Sequence, residues 1–269
     1  HEWEKNGIVP KEVWLRAGEL GLLCSTVPEE YGGSGGDFGH SAVIIEELAR
    51  ANATAVGFTT HSEIVAPYIV AYGSEEQKLK WLPRMVSGEL IGVIAMSEPG
   101  IAELFFDEVR VPVVNRLGEE GQGFKYLTHQ LAWERLIIAI RAAQSIHTLL
   151  EETIDYTRER KVFGKPVLDF QNTRFKLAEA KAQATMLRVF VDDCLAKVMR
   201  GELAPDVAAM AKLLGSEMQG KLLDEFLQLH GGYGFMSEYK ISRAWVDARV
   251  ARIYGGTSEI MKEIIGRTL

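Results

Sequence analysis

The chain of 269 residues carries 30 lysine and arginine residues against 37 aspartate and glutamate residues, so its formal net charge is −7. Hydrophobic residues make up 47% of the sequence and charged residues 25%, which indicates a globular protein of one or two domains. The acidic balance argues against nucleic acid or an anionic membrane as the main partner, because both favour an excess of Lys and Arg. No apolar run approaches the roughly 18 residues that a membrane span needs, since the best one ends at Arg141.

The N-terminus and the cysteines indicate a compartment. Residues 1–5 have neither the apolar core of a secretory signal nor an Arg-rich transit pattern. Cys24 and Cys194 lie among apolar residues and are too few for a disulfide framework, so we expect buried free thiols. These features predict a reduced, cytoplasmic-type protein.

Helical periodicity dominates the first part of the chain. It predicts helices over Val9 to Leu23, Ser41 to Ala51 and Ile64 to Tyr72. Ser74, with Gln77 three residues later, predicts a capping box at the start of a further helix. The buried side of that helix would consist of Trp81, Leu82, Met85 and Val86.

The second part of the chain begins with an irregular region and then becomes helical. Leu104–Phe106 and Val109–Val113 are the only clear strand-like runs, and a lone pair of short strands is marginal. Pro205 predicts the start of one helix, and the final helix begins near Thr257.

Apolar residues predict the packing faces of two helices in this part. Alternating spacings of three and four indicate a bundle-type seam, which consists of Leu177, Ala180, Ala184, Leu187, Val191, Cys194 and Val198. The helix that starts at Pro205 carries a similar stripe, which consists of Val207, Met210, Leu214, Met218 and Leu222.

Several common site types are not supported by the sequence. The Gly32–Gly36 loop follows no strand and precedes no Lys-Ser/Thr pair, so neither a dinucleotide fingerprint nor a P-loop is indicated. The six histidines lack metal-ligand spacing, and no nucleophile-elbow motif is present. Metal-dependent and Ser/His/Asp hydrolysis are therefore not expected.

Four sets of residues together indicate a ligand rich in phosphate. Arg160 can bind a pyrophosphate through two parallel hydrogen bonds, and a helix start at Thr257 presents free N–H groups and a positive dipole end. Gln171 and Gln228 can bind an amide-like or purine edge. Glycines allow the backbone to approach such a ligand closely, and they stand at Gly231, Gly232, Gly255 and Gly256.

In their order these motifs resemble the acyl-CoA dehydrogenase family, and the resemblance covers almost the whole chain. It is carried by Ser97–Gly100, Glu103–Phe106, Arg160–Pro166, Gln228–Gly234 and Tyr254–Glu259.

The sequence is most similar to the long-chain branch of that family. Many members carry a catalytic glutamate at the position of Gly255. In the long-chain and isovaleryl branches the glutamate lies instead on a helix, in a context that Glu134-Arg135-Leu136 matches.

The resemblance implies a mainly α fold with an N-terminal α domain (1–97) and a C-terminal α-helical four-helix bundle domain (118–269). Residues 98–117 would be remnants of the middle β-barrel-like domain, which normally covers one face of the flavin ring. About 80–100 residues would then be missing between Gly100 and Ala102. Three alternatives stay open: the sequence joins two segments of a longer polypeptide, the domain has been deleted, or the protein is a natural short form without flavin.

The resemblance also implies FAD-dependent α,β-dehydrogenation of a long-chain or branched acyl-CoA to trans-2-enoyl-CoA in fatty-acid β-oxidation. Glu134 would be the base. Substrate would expel water from the site, which would make the Glu134 carboxylate a stronger base. Arg135, Gly255 and Gly256 would bind substrate, with the Gly255 N–H holding the thioester oxygen as enolate charge develops.

Cofactor and partners are implied in the same way. The FAD-binding residues would be Met96, Ser97, Arg160, Phe163, Gln171, Gln228, Gly231, Gly232, Thr257, Ser258 and Glu259, some of them serving a neighbouring subunit of a homotetramer. Electrons would pass to an electron-transferring flavoprotein, in the cytoplasm of a bacterium or the mitochondrial matrix of a eukaryote. The alternatives are an acyl-CoA oxidase and a flavin-free helical scaffold that lacks the β domain.

Overall fold

A computed structural model describes residue 3 and residues 6–53, 56–94 and 105–269. The chain forms two compact units. One comprises residues 1–41 and 55–130, and the other comprises residues 42–54 and 131–269.

The first part of the chain is helical, as predicted. Helix α1 spans Lys11–Glu19 and α2 spans Phe38–Arg50. A π-helix at Thr60–Val65 leads directly into α3, Ala66–Tyr72, and α4 spans Glu75–Val86. The predicted helix over Val9 to Leu23 is too long, because Gly21 adopts a positive φ of 69° and turns the chain.

The capping box at the start of α4 is confirmed. The Gln77 N–H donates to Ser74 Oγ at 3.2 Å, and the Ser74 N–H donates to Gln77 Oε1 at 2.9 Å. On the predicted inner side of α4, Leu82 and Met85 are buried, whereas Trp81 and Val86 are half-buried.

The predicted strands around residue 110 are wrong where the structure describes them. Residues 105–112 have no regular secondary structure and are exposed, and Val113–Asn115 forms a short 3-10 turn. A strand requires a partner, and the described residues offer none to this segment. Leu104 lies outside the described residues, as do Met96, Ser97 and the step from Gly100 to Ala102.

Five helices make up the rest of the chain. They are α5 (Gly123–Glu159), α6 (Gln171–Met199), α7 (Pro205–His230), α8 (Lys240–Val250) and α9 (Ser258–Gly266). A small antiparallel hairpin joins α5 to α6. Its strands are β1, Lys161–Val162, and β2, Lys165–Pro166, with Lys161 paired to Pro166 and Val162 to Lys165.

The seam predicted on α6 is buried along its length, except that Val198 is half-buried. Helix α7 begins at Pro205 as predicted, but its predicted packing face is wrong in part, since Leu214 is 48% exposed. Small residues set the real face: a Cβ built on Gly215 would lie 3.3 Å from Ala139 Cα of α5. The fully buried residues of that face include Ala208, Ala211, Lys212, Ser216, Leu222 and Leu223.

The predicted thiol state is confirmed for both cysteines, which are buried and free. Burial raises the pKa of the Cys24 thiol to about 12, so it is unreactive at neutral pH. In the described ranges no helix is both long enough and apolar enough to cross a membrane. Among the same residues no cluster of His, Cys, Asp or Glu is arranged to hold a metal ion.

Candidate active site

Glu134 and Arg135 are adjacent charged residues on a buried stretch of α5. Their exposed fractions are 8% and 7%, and residues 136–140 that follow them are buried apolar residues. Burial lowers the pKa of Arg135, while the neighbouring Glu134 carboxylate opposes that shift. The buried Arg135 Nε makes no hydrogen bond within the described structure. A buried donor without a partner costs free energy, so this site has a hydrogen bond to offer to a ligand.

The Gly255–Gly256 turn lies against the same helix. The φ angles of these glycines are 66° and 98°, which L side chains rarely adopt. A Cβ on Gly255 would lie 2.7 Å from Ile138 Cδ1, so no side chain fits between the turn and α5. Ile138 is one helical turn beyond Glu134. The structure thus brings the predicted base and the predicted backbone donor to one stretch of α5.

The start of α9 follows this turn directly. Thr257 caps the helix, accepting a hydrogen bond from the Ile260 N–H at 3.4 Å, and Ser258 Oγ donates to Glu217 Oε1 of α7. Hydrogen bonds from its own backbone N–H and from the Thr257 hydroxyl lower the pKa of Glu259. The predicted residues Thr257, Ser258 and Glu259 therefore form one group with the Gly255–Gly256 turn.

Lys212 of α7 is a site residue that the sequence analysis did not identify. Its side chain is 0% exposed, and its Nζ donates to the Gly256 carbonyl oxygen at 2.6 Å. Burial lowers its pKa to about 8, with Arg135 adding to the shift and the Glu217 and Glu259 carboxylates opposing it. Lys212 stands among alanine and glycine residues of α7, at the spacing expected for the buried face of a helix. That spacing was the signal in the sequence for its burial.

A second group of predicted residues lines a separate cleft of about 390 Å³ at the ends of α5 and α7. It contains Arg160, Gln228, Gly231 and Gly232. The Arg160 guanidinium lies 5.4 Å from the centre of the Tyr233 ring. The structure therefore brings these four predicted residues together.

Aromatic packing forms the floor of this cleft. The Tyr156 hydroxyl donates to the His230 carbonyl oxygen at 3.1 Å, and the two rings stack at 4.1 Å. These contacts join the end of α5 to the end of α7. They therefore fix the backbone of Gly231 and Gly232 beside the cleft.

Two predicted cofactor residues lie outside this cleft. Phe163 is 97% exposed at the tip of the β1–β2 hairpin, with a positive φ of 49°. Gln171 is exposed at the first position of α6. Neither residue lines the cleft in the described structure.

The two groups fit different parts of a flavin dinucleotide. The cleft combines an exposed guanidinium with exposed glycine backbone, and a Cβ on Gly231 or Gly232 would meet no atom within 4 Å. Such a surface suits a pyrophosphate. The start of α9 offers a positive dipole end, but the prediction of free N–H groups there is wrong, because those of Ser258, Glu259 and Ile260 already donate within the chain.

Comparison with protein families identifies the chain. Residues 1–89 match the model of the acyl-CoA dehydrogenase N-terminal domain, and residues 121–269 match that of the acyl-CoA dehydrogenase C-terminal domain. The chain belongs to the acyl-CoA dehydrogenase family. It is accordingly a mainly α member of an enzyme family that uses FAD, and the predicted family, fold class and cofactor are confirmed.

Individual relatives agree with this assignment. The chain is 38% identical over 349 residues to the mitochondrial long-chain specific acyl-CoA dehydrogenase of Sus scrofa, covering 100% of this chain and 81% of that protein. The crystal structure of an acyl-CoA dehydrogenase from Geobacillus kaustophilus shares 36% identity, with a TM-score of 0.95 over 99% of this chain and 92% of the other. An acyl-CoA dehydrogenase from Bacillus anthracis, complexed with FAD, shares 26% identity, with a TM-score of 0.87 over 96% of this chain and 61% of that one.

The alignment with the Sus scrofa protein is longer than this chain by the size of a small domain. The two family models leave residues 90–120 unmatched between them. The domain boundaries at residues 97 and 117, and the position of a missing β domain, stay predictions.

Proposed function

We propose that this enzyme oxidises a long-chain or branched acyl-CoA to the trans-2-enoyl-CoA in fatty-acid β-oxidation and passes electrons to an electron-transferring flavoprotein. The supporting observation is the juxtaposition of buried Glu134 with the Gly255–Gly256 turn on one stretch of α5. Among the relatives, the Sus scrofa protein is named for long-chain substrates, which favours that substrate class. A soluble compartment, bacterial cytoplasm or mitochondrial matrix, is part of the proposal.

In this mechanism Glu134 removes the α-proton of the thioester. Negative charge then moves onto the thioester oxygen, and the Gly255 N–H stabilises it by a hydrogen bond. FAD, when bound, supplies the acceptor for the hydride that leaves the β-carbon. Glu134 is 8% exposed and is followed on α5 by buried apolar residues, so little water reaches this stretch of the helix.

Arg135 orders the substrate in this proposal. Its buried Nε has no hydrogen-bond partner in the described structure, and a polar group of the substrate would supply one. Gly256, the second residue of the turn, cannot carry a side chain, because a Cβ there would lie 2.7 Å from Met261 Cε.

The cofactor residues would divide between subunits. Thr257, Ser258 and Glu259 would contact one FAD together with Met96 and Ser97, which lie outside the described residues. Arg160, Gln228, Gly231 and Gly232 would contact another. Phe163 and Gln171, both exposed, would also serve a neighbouring subunit. This division requires at least two subunits, and the proposed assembly is a homotetramer.

The substitution Glu134→Gln tests the proposed base. Loss of a general base slows proton abstraction by about 10²–10⁴-fold. Anaerobic mixing with a long-chain acyl-CoA, followed by the absorbance of bound flavin, measures the rate of flavin reduction. Glu151→Gln, an exposed change on the same helix, is the matched control and should keep the original rate. An unchanged rate in Glu134→Gln would refute the assignment.

The same purified protein distinguishes the proposed dehydrogenase from an oxidase and from a flavin-free scaffold. Turnover with oxygen as sole acceptor and release of peroxide would indicate an oxidase. Colourless protein that does not take up FAD would indicate a scaffold, and an intact mass above 29.9 kDa would show that the polypeptide is longer than this chain.

A further inference from the structure

We propose that Lys212 is a positioning residue, which holds the Gly255–Gly256 turn so that the Gly255 N–H faces the thioester oxygen of the substrate. This inference rests on the proposed function, because it assumes that the Gly255 N–H binds that oxygen. Lys212 itself would touch neither substrate nor cofactor.

The turn needs an external support. Both of its glycines lie in the left-handed region, and glycine has the widest choice of backbone conformations. The backbone before the turn is held by a hydrogen bond from the Tyr254 N–H to the Val250 carbonyl at 3.1 Å. Within the described ranges the Gly255 N–H itself donates no hydrogen bond, so it is available to a ligand.

Lys212 supplies that support after the turn. Its Nζ reaches from α7 to the Gly256 carbonyl oxygen at 2.6 Å, which fixes the peptide that follows the two glycines. A fully buried ammonium group costs free energy, and an apolar side chain of similar length would avoid that cost. A residue kept at such a cost is better explained by orientation of the turn than by stability of the fold.

Glu217, which is also on α7, stabilises the Gly255–Gly256 turn through a second set of contacts. Glu217 accepts a hydrogen bond from Ser258 Oγ and pairs with Arg252 at 3.3 Å. The Ser258 N–H donates to the Arg252 carbonyl at 3.2 Å. Gly220 makes room for this arrangement, since a Cβ there would lie 3.0 Å from the Arg252 guanidinium. With Lys212, these contacts hold the turn from both of its ends.

The test compares Lys212→Met with Lys221→Met. Both changes remove a lysine from α7, but Lys221 is exposed and pairs only with Glu179 at 3.6 Å in the described structure. The probe is an acyl-CoA analogue with sulfur in place of the β-carbon, which has no β-hydride to lose. Its α-carbon can still be deprotonated by the FAD-loaded enzyme, and absorbance against pH gives the pKa of the bound analogue.

We expect Lys212→Met to raise the α-carbon pKa of the bound analogue by about one unit, which is a tenfold weaker stabilisation of the anion. With substrate, kcat should fall about 10–100-fold while KM changes less than threefold, because the lost contact acts on the developing charge. Lys221→Met should match the wild type. Lys212→Arg, which keeps the charge and the donors, should recover most of the effect.

Three outcomes decide the matter. If folded, flavin-loaded Lys212→Met gives the wild-type analogue pKa, the positioning role is wrong. If Lys212→Met does not fold, Lys212→Gln, which is shorter and uncharged, is measured in the same way and carries the same expectation. If the wild-type enzyme does not deprotonate the analogue at all, the proposed function fails, and this outcome is distinct from failure of the Lys212 role alone.

Discussion

At the scale of single residues, Gly255 is constrained in two ways. Its φ of 66° disfavours any L side chain, and a Cβ would come within 2.7 Å of Ile138. Gly201, at the end of α6, shares only the first constraint, with a φ of 70° and no atom within 4 Å of its Cβ position. The two glycines therefore separate backbone strain from crowding.

We expect Gly255→Ala to lower the free energy of unfolding by about 2–4 kcal/mol and Gly201→Ala by about 1 kcal/mol. Crowding against Ile138 accounts for the difference. Urea denaturation followed by circular dichroism measures both values. If both variants lost the same free energy of unfolding, α5 would be moving away from the new methyl group at no cost. The turn would then not be held tightly against α5.

The sequence predicted Glu134, Arg135 and the two glycines of the candidate site, but it did not point to Lys212, the residue proposed to hold the turn. Glu134, Arg135 and the two glycines carry chemistry that a motif displays. Lys212 was missed because a lysine on a helix is normally read as solvent-exposed, and its burial depends on how closely α7 packs against α5. Packing of that kind is a tertiary property, which local periodicity does not encode.

At the scale of elements, α7 shows how an apolar stripe misleads. Of the predicted inner-face residues Val207, Met210, Leu214, Met218 and Leu222, only Leu222 is buried. Alanine, glycine and serine make up much of the inner face, because they allow the close approach to α5, and Lys212, Leu222 and Leu223 are buried with them. By contrast, the start of α4 and the start of α7 were predicted correctly, because capping and proline effects are local.

The π-helix Thr60–Val65 had no signal in the sequence, and it carries a buried carboxyl group. Burial raises the pKa of Glu63 from 4.5 to about 7, while a hydrogen bond with Ser41 opposes the shift. The Cys24 thiol and the His61 ring, whose pKa is lowered by burial, are the neighbouring titratable groups.

This carboxyl group predicts a pH dependence. Between pH 4.5 and 7 the folded state binds more protons at Glu63 than the unfolded state, so the free energy of unfolding should fall as pH rises through this window. Glu63→Gln should remove a slope worth about 1–3 kcal/mol and stabilise the protein at pH 8. Urea denaturation at pH 5 and pH 8 measures this effect. Glu76→Gln, an exposed change on α4, should leave the slope intact.

At the scale of the whole molecule, the exposed apolar residues of the C-terminal unit indicate association. Phe163, Met186, Val189 and Leu214 are each between 48% and 97% exposed. In the proposed assembly another chain would cover these side chains. The separation of the predicted FAD-binding residues into two groups agrees with the proposed association.

We expect the wild-type enzyme to run as a tetramer and Met186→Glu to weaken it, because a charge placed in an apolar contact is costly to bury. Light scattering coupled to size-exclusion chromatography measures the molar mass. Lys181→Glu, an exposed polar position on the same helix, should leave the mass unchanged. A monomeric wild type would contradict the proposed assembly and the sharing of FAD between chains.

Helix α5 carries both Glu134 and, just past its last turn, Arg160. At a rise of 1.5 Å per residue, these two residues are about 39 Å apart along the helix axis. The ribityl chain that joins a flavin ring to its pyrophosphate is too short to bridge that length. In the proposed mechanism one polypeptide would therefore give its proton acceptor to one flavin and its guanidinium to another, and the smallest unit with a complete reaction centre would be a pair of subunits.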